Sequence, residues 1–229
     1  MPFDAAQGFT PDYWYGIGQL ISPAVGETIY MVVVATLLAY VLGMPLGVLL
    51  VVTSPGHILP NPWVERILGT LINILRSAPF IILLVALIPV TRAIVGTSIG
   101  TTAAIVPLVI SAAPFVARMV ESSLKEVPAG VIEAALAMGA SPGQIIRKVL
   151  IPEAKGSLVL GVAITTIGII GYTAMAGAVG GGGLGDLAIQ YGYNRFRTDI
   201  MIVTVIILVV IVQLIQSLGT WLAHRLAHR

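Results

Sequence analysis

The sequence lacks cysteine altogether and has little charge. Without cysteine the chain can form no disulfide, no thiolate zinc site and no iron–sulfur cluster. Charged residues make up 10% of the 229 residues, whereas about 25% is usual in soluble domains. So little charge cannot cover a water-facing surface. The formal net charge of +2, with no run of like charges, gives no indication of nucleic-acid binding.

Apolar residues are abundant instead, at 57% of the chain with a mean hydropathy of +1.00. A transmembrane helix needs about 20 mostly apolar residues. Five segments meet that requirement: Ile29–Val52, Ile67–Val90, Ile99–Ala117, Ser157–Gly180 and Ile200–Ala223. The sequence therefore predicts an all-α membrane protein with five transmembrane helices in one bundle.

The basic residues predict how this bundle is oriented, because cytoplasmic segments are enriched in Lys and Arg. With the N-terminus outside, eight basic residues lie inside and three lie outside. The inside residues are Arg66, Arg118, Lys125, Arg147, Lys148, Lys155, Arg225 and Arg229; the outside ones are Arg92, Arg195 and Arg197. We expect residues 1–28 to be an extracytoplasmic segment, residues 29–223 a transmembrane domain and residues 224–229 a cytoplasmic tail.

The N-terminal segment does not have the basic start of a secretory signal, since residues 1–28 contain no Lys or Arg. Tyr13, Trp14 and Tyr15 are typical of an aromatic anchor at the depth of the lipid headgroups. A disordered tail that happens to be aromatic is the alternative.

The largest inside segment, residues 118–156, has the local signals of two short helices joined by a corner. Pro128 suits the first position of a helix, and Gly139 suits a left-handed cap at its end. Ser141 and Gln144 can form a capping box that starts a second helix, which we expect Pro152 to stop. The alternative is an amphipathic surface loop without a specific partner.

The residues of this segment resemble the "EAA" loop of ABC-importer permeases. The resemblance rests on Glu133-Ala134-Ala135, then Gly139, then Val149-Leu150-Ile151-Pro152. The family pattern ends in Ile-x-Leu-Pro, so Val149 and Ile151 are conservative departures. Four further stretches resemble the permease subunit of the methionine-uptake family: Arg76–Leu84, Val95–Gly100, Ala113–Glu121 and Gly171–Tyr193. Permeases for polar amino acids usually have Arg-Gly-Thr-Pro where this chain has Arg-Ser-Ala-Pro.

The resemblance implies the type I ABC-importer architecture, in a bacterial inner membrane, with the path for methionine between two copies of the chain. It also implies two cytoplasmic subunits that bind ATP and Mg²⁺, and an extracytoplasmic substrate-binding protein. Glu133, Ala134, Ala135, Gly139 and Pro152 would form the loop that contacts the ATPase. The alternatives are a permease for another amino acid or small nutrient, or a secondary transporter.

Three further residues are candidates for the path and its gate, meaning the side chains that close it. Arg76 is the one charge well inside a predicted span, and we expect it at the inner mouth of the path or snorkelling to the surface. Tyr172 and Met175 lie among small residues of the fourth span, where a flexible methionine can seal an apolar gap. Simple core packing is the alternative for both.

Other motifs do not predict catalysis or a cofactor. Gly180–Gly185 fits a dinucleotide fingerprint only by being a glycine run, and we expect a flexible outer turn there. No Gly-Lys-Ser/Thr phosphate loop occurs, so ATP hydrolysis must come from another subunit. His224 and His228 have no third metal ligand, and His57 is alone. Neither the internal repeat and intramembrane acid of a secondary transporter nor the nucleophile–base pair of an enzyme is evident.

Overall fold

The computed structural model describes residues 10–227, with only the backbone of Ala227, and they contain helices and no strand. Two π-helical turns, Ile146–Leu150 and Ala188–Tyr193, continue short α-helices. The α-helices are α1 Pro11–Thr53, α2 Pro62–Ser77, α3 Phe80–Ala86, α4 Ile88–Val95, α5 Thr101–Lys125, α6 Ala129–Ala137, α7 Pro142–Ile145, α8 Ile151–Glu153, α9 Lys155–Gly177, α10 Gly183–Leu187 and α11 Thr198–Ala227. The all-α prediction is confirmed for this part of the chain.

Four of the described helices, α1, α5, α9 and α11, are each long and apolar enough to cross a membrane. The pair α2 and α3 meets the same test together and would be a fifth span, but it is bent by 98°. The predicted unbroken span Ile67–Val90 is therefore wrong. Ala78 is extended (φ −77°, ψ 126°) because Pro79 disfavours the helical conformation in the residue before it.

The ends of two long helices lie beyond the predicted spans. Helix α1 begins at Pro11 rather than near Ile29, so Tyr13, Trp14 and Tyr15 lie on its first two turns and not in a disordered tail. Residues 1–9 of the predicted N-terminal segment are outside the described part. Helix α5 continues to Lys125, so the segment 118–156 begins as helix.

The chain forms two compact units, and the four long helices each contribute to both. Unit 1 consists of the residues up to Ala35, Phe80–Leu108 and Thr166–Leu214. Its core contains a buried cluster formed by α1, α10 and α11, with Ile17, Leu184 and Ile200 among its members.

Unit 2 consists of Thr36–Pro79, Val109–Thr165 and the residues from Ile215 onward. Within it α1 packs closely on α5 through small residues. A Cβ added to Gly43 would lie 2.5 Å from the carbonyl oxygen of Ala113, and one added to Gly47 would lie 2.5 Å from that of Ala117. Two glycines four residues apart let the helix backbones approach, as is common between transmembrane helices.

An ionic cluster in unit 2 ties α2 to the C-terminal half of α5. Arg118 donates to Glu121 at 2.5 Å, to the Gly69 carbonyl at 3.0 Å and to Asn73 at 2.9 Å. Lys125 donates to the other oxygen of Glu121 at 2.7 Å. These charge-assisted bonds stabilise the end of the helix that leads into the EAA loop.

Candidate functional site

The corner of the EAA loop has the geometry predicted for it. Gly139 follows α6 with φ +77°, and the Ala140 amide donates to the Ala135 carbonyl at 3.1 Å. This is the left-handed glycine cap that satisfies the last carbonyls of a helix. A side chain with a Cβ would cost about 1–2 kcal/mol in this conformation, so Gly139 determines how α6 turns into the next helix.

The helix after the corner starts as the capping box predicts. The Gln144 amide donates to Ser141 Oγ at 3.4 Å, and the Ser141 amide donates to Gln144 Oε1 at 2.8 Å. Pro142 occupies the first helical position. Pro128 is the N-cap of α6 rather than its first residue, so that detail of the prediction is wrong by one position.

Pro152 does not stop the second helix, and that prediction is wrong. The π-helical turn Ile146–Leu150 precedes it, with the Ile151 amide bonded to the Ile146 carbonyl, and α8 then includes Pro152. A proline ring in an α-helix clashes with the carbonyl four residues earlier. The wider π turn takes the preceding carbonyls out of α register, so helical structure continues through Glu153 and resumes at Lys155.

The EAA loop is anchored on one side and open on the other. Ala135, Ile145 and Leu150 are buried, the last two completely. Glu133, Ala134 and Pro152 are exposed, and Met138 is 82% exposed. Exposed apolar residues beside a carboxylate, on a capped helical corner, form a surface suited to a protein partner.

The gate candidates lie in different units. In unit 1, Tyr172 stacks on Phe80 with ring centroids 4.6 Å apart, and Met175 is 48% exposed in the single chain. In unit 2, Arg76 is exposed in the last turn of α2, with its guanidinium 5.8 Å from the ring centroid of Phe115. A cation at this helix end is favourably placed in the field of the helix dipole.

The glycine turn after α9 is held by side chains that sequence reasoning did not single out. The Gly183 amide donates to Glu27 Oε2 at 2.6 Å, and the Leu184 amide donates to Thr28 Oγ1 at 2.8 Å. The Gly100 amide donates to the Gly180 carbonyl at 2.9 Å. These bonds tie the turn to α1 and to the residue before α5, contacts that the sequence, which led us to expect a flexible turn, did not indicate.

A cavity of about 390 Å³ in unit 1 adjoins this turn. Its polar lining includes Glu27, Asp186 and Gln190, and Arg195, whose guanidinium lies 4.3 Å from the Tyr191 ring centroid. Burial raises the pKa of the Asp186 carboxyl, and the charge of Glu27 raises it further, against a lowering by a hydrogen bond from Gln190.

No group of three or more metal-ligating side chains occurs among the residues that the structure describes. His228, one of the three histidines considered above, lies outside them.

Comparison with known protein families gives a match over most of the chain. The family described as "Binding-protein-dependent transport system inner membrane component" matches residues 39–229. The chain belongs to this family of permeases. The matched region contains the EAA loop, Arg76, Tyr172 and Met175.

Several permeases of this family are similar to the chain over nearly its whole length. The probable D-methionine transport system permease protein MetI of Vibrio cholerae is 54% identical, over 94% of this chain and 96% of its own. Its counterpart from Pasteurella multocida is 50% identical over 96% of this chain and 100% of its own. The D-methionine permease MetI of Escherichia coli K12 is 56% identical over 69% of this permease and 73% of its own length.

Solved structures show the same fold. An inward-facing structure of the MetNI methionine ABC transporter has a TM-score of 0.91 and 49% identity, covering 95% of this permease and 99% of the other chain. A second crystal form of the same transporter has a TM-score of 0.86 and 52% identity. An amino acid ABC transporter at 18% identity and a TM-score of 0.76 shares the fold alone.

Proposed function

We propose that this permease is the transmembrane subunit of an ATP-driven importer and forms the path for methionine across the bacterial inner membrane. Similarity to a methionine ABC transporter at 49% identity over 95% of the chain carries this conclusion. The relatives that match it are D-methionine permeases. The EAA loop supplies the exposed surface through which an ATPase subunit would contact and move such a permease.

The partners follow from what the permease has and lacks. The family is binding-protein-dependent, which supports delivery of substrate by an extracytoplasmic binding protein. The sequence has no phosphate-binding loop, so two separate cytoplasmic subunits bind ATP with Mg²⁺ and hydrolyse it. A second copy of the permease completes the path between the two chains. The chain itself holds no cofactor and is not an enzyme.

The EAA loop transmits the movement of the ATPase subunits. Glu133, Ala134 and Ala135 lie on α6, Gly139 turns the corner, and Pro152 lies within α8, the short helix that precedes α9. Because Ile145 and Leu150 are fully buried, a displacement of the loop by the ATPase also moves the residues that cover them. The exposed Glu133 pairs with a basic group or a helix N-terminus of the ATPase.

The path closes at Met175, with Tyr172 one turn earlier on α9, and Arg76 lies at its inner mouth. Support comes from the exposure of Met175 and Arg76 in the single chain. Both side chains therefore have a face that no other residue of the same chain covers.

In the membrane the N-terminus lies outside and the C-terminus inside, as the distribution of basic residues indicates. Residues 1–28 form the extracytoplasmic segment, 29–223 the permease domain and 224–229 the cytoplasmic tail.

The decisive experiment is uptake into proteoliposomes by the permease reconstituted with its ATPase and binding protein. We expect accumulation of L- or D-methionine that requires ATP and the binding protein. A matched preparation with a non-hydrolysable ATP analogue is the control. If another amino acid is transported in preference to methionine, the substrate assignment is wrong. Uptake driven by an ion gradient without ATP would refute the proposed mechanism.

A further inference from the structure

Two neighbouring side chains of α1 bind the turn that links α9 to α10. The Glu27 carboxylate accepts from the Gly183 amide at 2.6 Å, a charge-assisted bond. The Thr28 hydroxyl accepts from the Leu184 amide at 2.8 Å and is buried. Glu27 and Thr28 are separated from these partners by 156 residues, so the bonds are purely tertiary.

The backbone of the turn lies very close to these side chains. Gly180, Gly182 and Gly183 all have positive φ, between 76° and 82°. A Cβ on Gly182 would lie 2.9 Å from Glu27 Oε2, and one on Gly183 would lie 2.6 Å from Thr28 Oγ1. Only glycine allows the backbone to approach both side chains this closely.

Helix α10, which follows the turn, packs against the end of α9. A Cβ on Gly185 would lie 2.5 Å from the Cα of Ala174, and one on Gly177 would lie 2.9 Å from the Cα of Gly185. The backbones of α9 and α10 are therefore in direct contact, and Ala174 immediately precedes Met175. A displacement of Gly183 or Leu184 must also displace the part of α9 that presents Met175.

We propose that Glu27 and Thr28 are positioning residues for the gate: they hold the Gly180–Gly183 turn and thereby fix the C-terminal end of α9. They act through α10 and do not contact the substrate. This inference rests on the transport function and on the gate proposed above, and it assigns to α1 a role outside the EAA loop.

The test measures how readily position 175 reacts in the assembled transporter. Met175→Cys introduces the one cysteine of the permease, because the chain has none, and a cysteine-free ATPase leaves it the one reactive thiol. The labelling rate with a maleimide is compared, without nucleotide, for Glu27→Ala, Glu27→Gln, Thr28→Val and Thr28→Ser. Thr36→Val is the matched control on the same helix, because the Thr36 hydroxyl is buried and makes no hydrogen bond.

We expect Thr28→Val and Glu27→Ala to raise the labelling rate by roughly five- to tenfold, the population shift expected from the loss of one strong hydrogen bond. Thr28→Ser keeps the hydroxyl and should label like the parent. Glu27→Gln keeps an acceptor oxygen without the charge and should lie between. Thr36→Val should not change the rate.

Unchanged labelling in Thr28→Val, at normal abundance of the complex, would overturn the proposal, as would an equal rise in Thr36→Val. Thr28→Val preserves the shape of the side chain and decides the matter if Glu27→Ala does not accumulate. Methionine uptake by the unsubstituted permease is measured separately. Its absence would count against the proposed function, whereas the labelling comparison addresses the positioning role alone.

Discussion

At the scale of single residues, Met175 carries the most specific expectation. Its side chain is 48% exposed in one chain, among small neighbours that allow a close approach. We expect the two copies of Met175 to meet when the transporter faces inward. Met175→Cys should then form a crosslink between copies with a short bifunctional reagent, read as a dimer on a denaturing gel.

A crosslink should be lost when ATP analogues close the ATPase subunits and the path opens to the other side. Val162→Cys is a suitable comparison, because it lies on the same helix with a similar exposure of 39% but more than three turns away. If position 175 does not crosslink in any nucleotide state, Met175 serves packing alone.

Residue-level predictions succeeded where the interacting groups are close in sequence. Ser141 and Gln144 are three residues apart and form the predicted capping box, and Gly139 has the predicted left-handed conformation. Glu27 gave no such signal, because its partner Gly183 is distant in the chain and nothing local specifies that pairing. The roles of Met175, Tyr172 and Arg76 remain predictions, since they depend on a second copy or on water in the path.

At the scale of elements, the corner between α6 and α7 determines how force from the ATPase reaches the membrane. We expect Gly139→Ala to disturb it by roughly 1–2 kcal/mol of backbone strain. Methionine uptake and stimulation of ATPase activity by the binding protein should both fall severalfold. Glu133→Ala should have the same effect by removing the contact with the partner. Retention of the ATPase subunit after detergent extraction is the direct measurement.

Gly130→Ala is the matched control, since Gly130 lies in α6 with open space around it and no positive φ. Alanine favours a helix there, so uptake should be normal. The amount of membrane-inserted permease should be nearly equal in all three variants, because insertion depends on the apolar spans. Normal transport by Gly139→Ala and Glu133→Ala at normal abundance would show that this segment is an ordinary surface loop.

The ends of the helices could be predicted from the sequence only where the helix and the apolar segment have the same limits. Hydropathy located the apolar parts of α1, α5, α9 and α11, but it does not detect that α1 continues as helix back to Pro11. The effects of two prolines on the helices were predicted wrongly. Pro79 breaks the helix within Ile67–Val90, a segment that hydropathy alone had predicted to be one span. Pro152, which was expected to stop a helix, is accommodated because a π turn precedes it.

At the scale of the whole molecule, the basic residues predict opposite sides for the two termini. A reporter fused at Thr10 should be active on the extracytoplasmic side, and one fused after Arg229 on the cytoplasmic side. Five crossings require this result, and the eight-to-three distribution of Lys and Arg supports it. Fusions at both sites in a single genetic background provide the comparison.

Signals on the same side from both reporters would exclude five crossings. The bent pair α2 and α3 would then have to enter and leave the membrane on one face, as a re-entrant segment.

The close seam between Gly43 and Gly47 of α1 and Ala113 and Ala117 of α5 has a consequence for biosynthesis. Gly47 leaves the ribosome 66 residues before Ala113, which is roughly 3–13 s at 5–20 residues per second. During that delay the glycine groove of α1 has no α5 to cover it. Its surface must meet lipid or an insertion factor, and the first native contact across the seam must wait for the later helix.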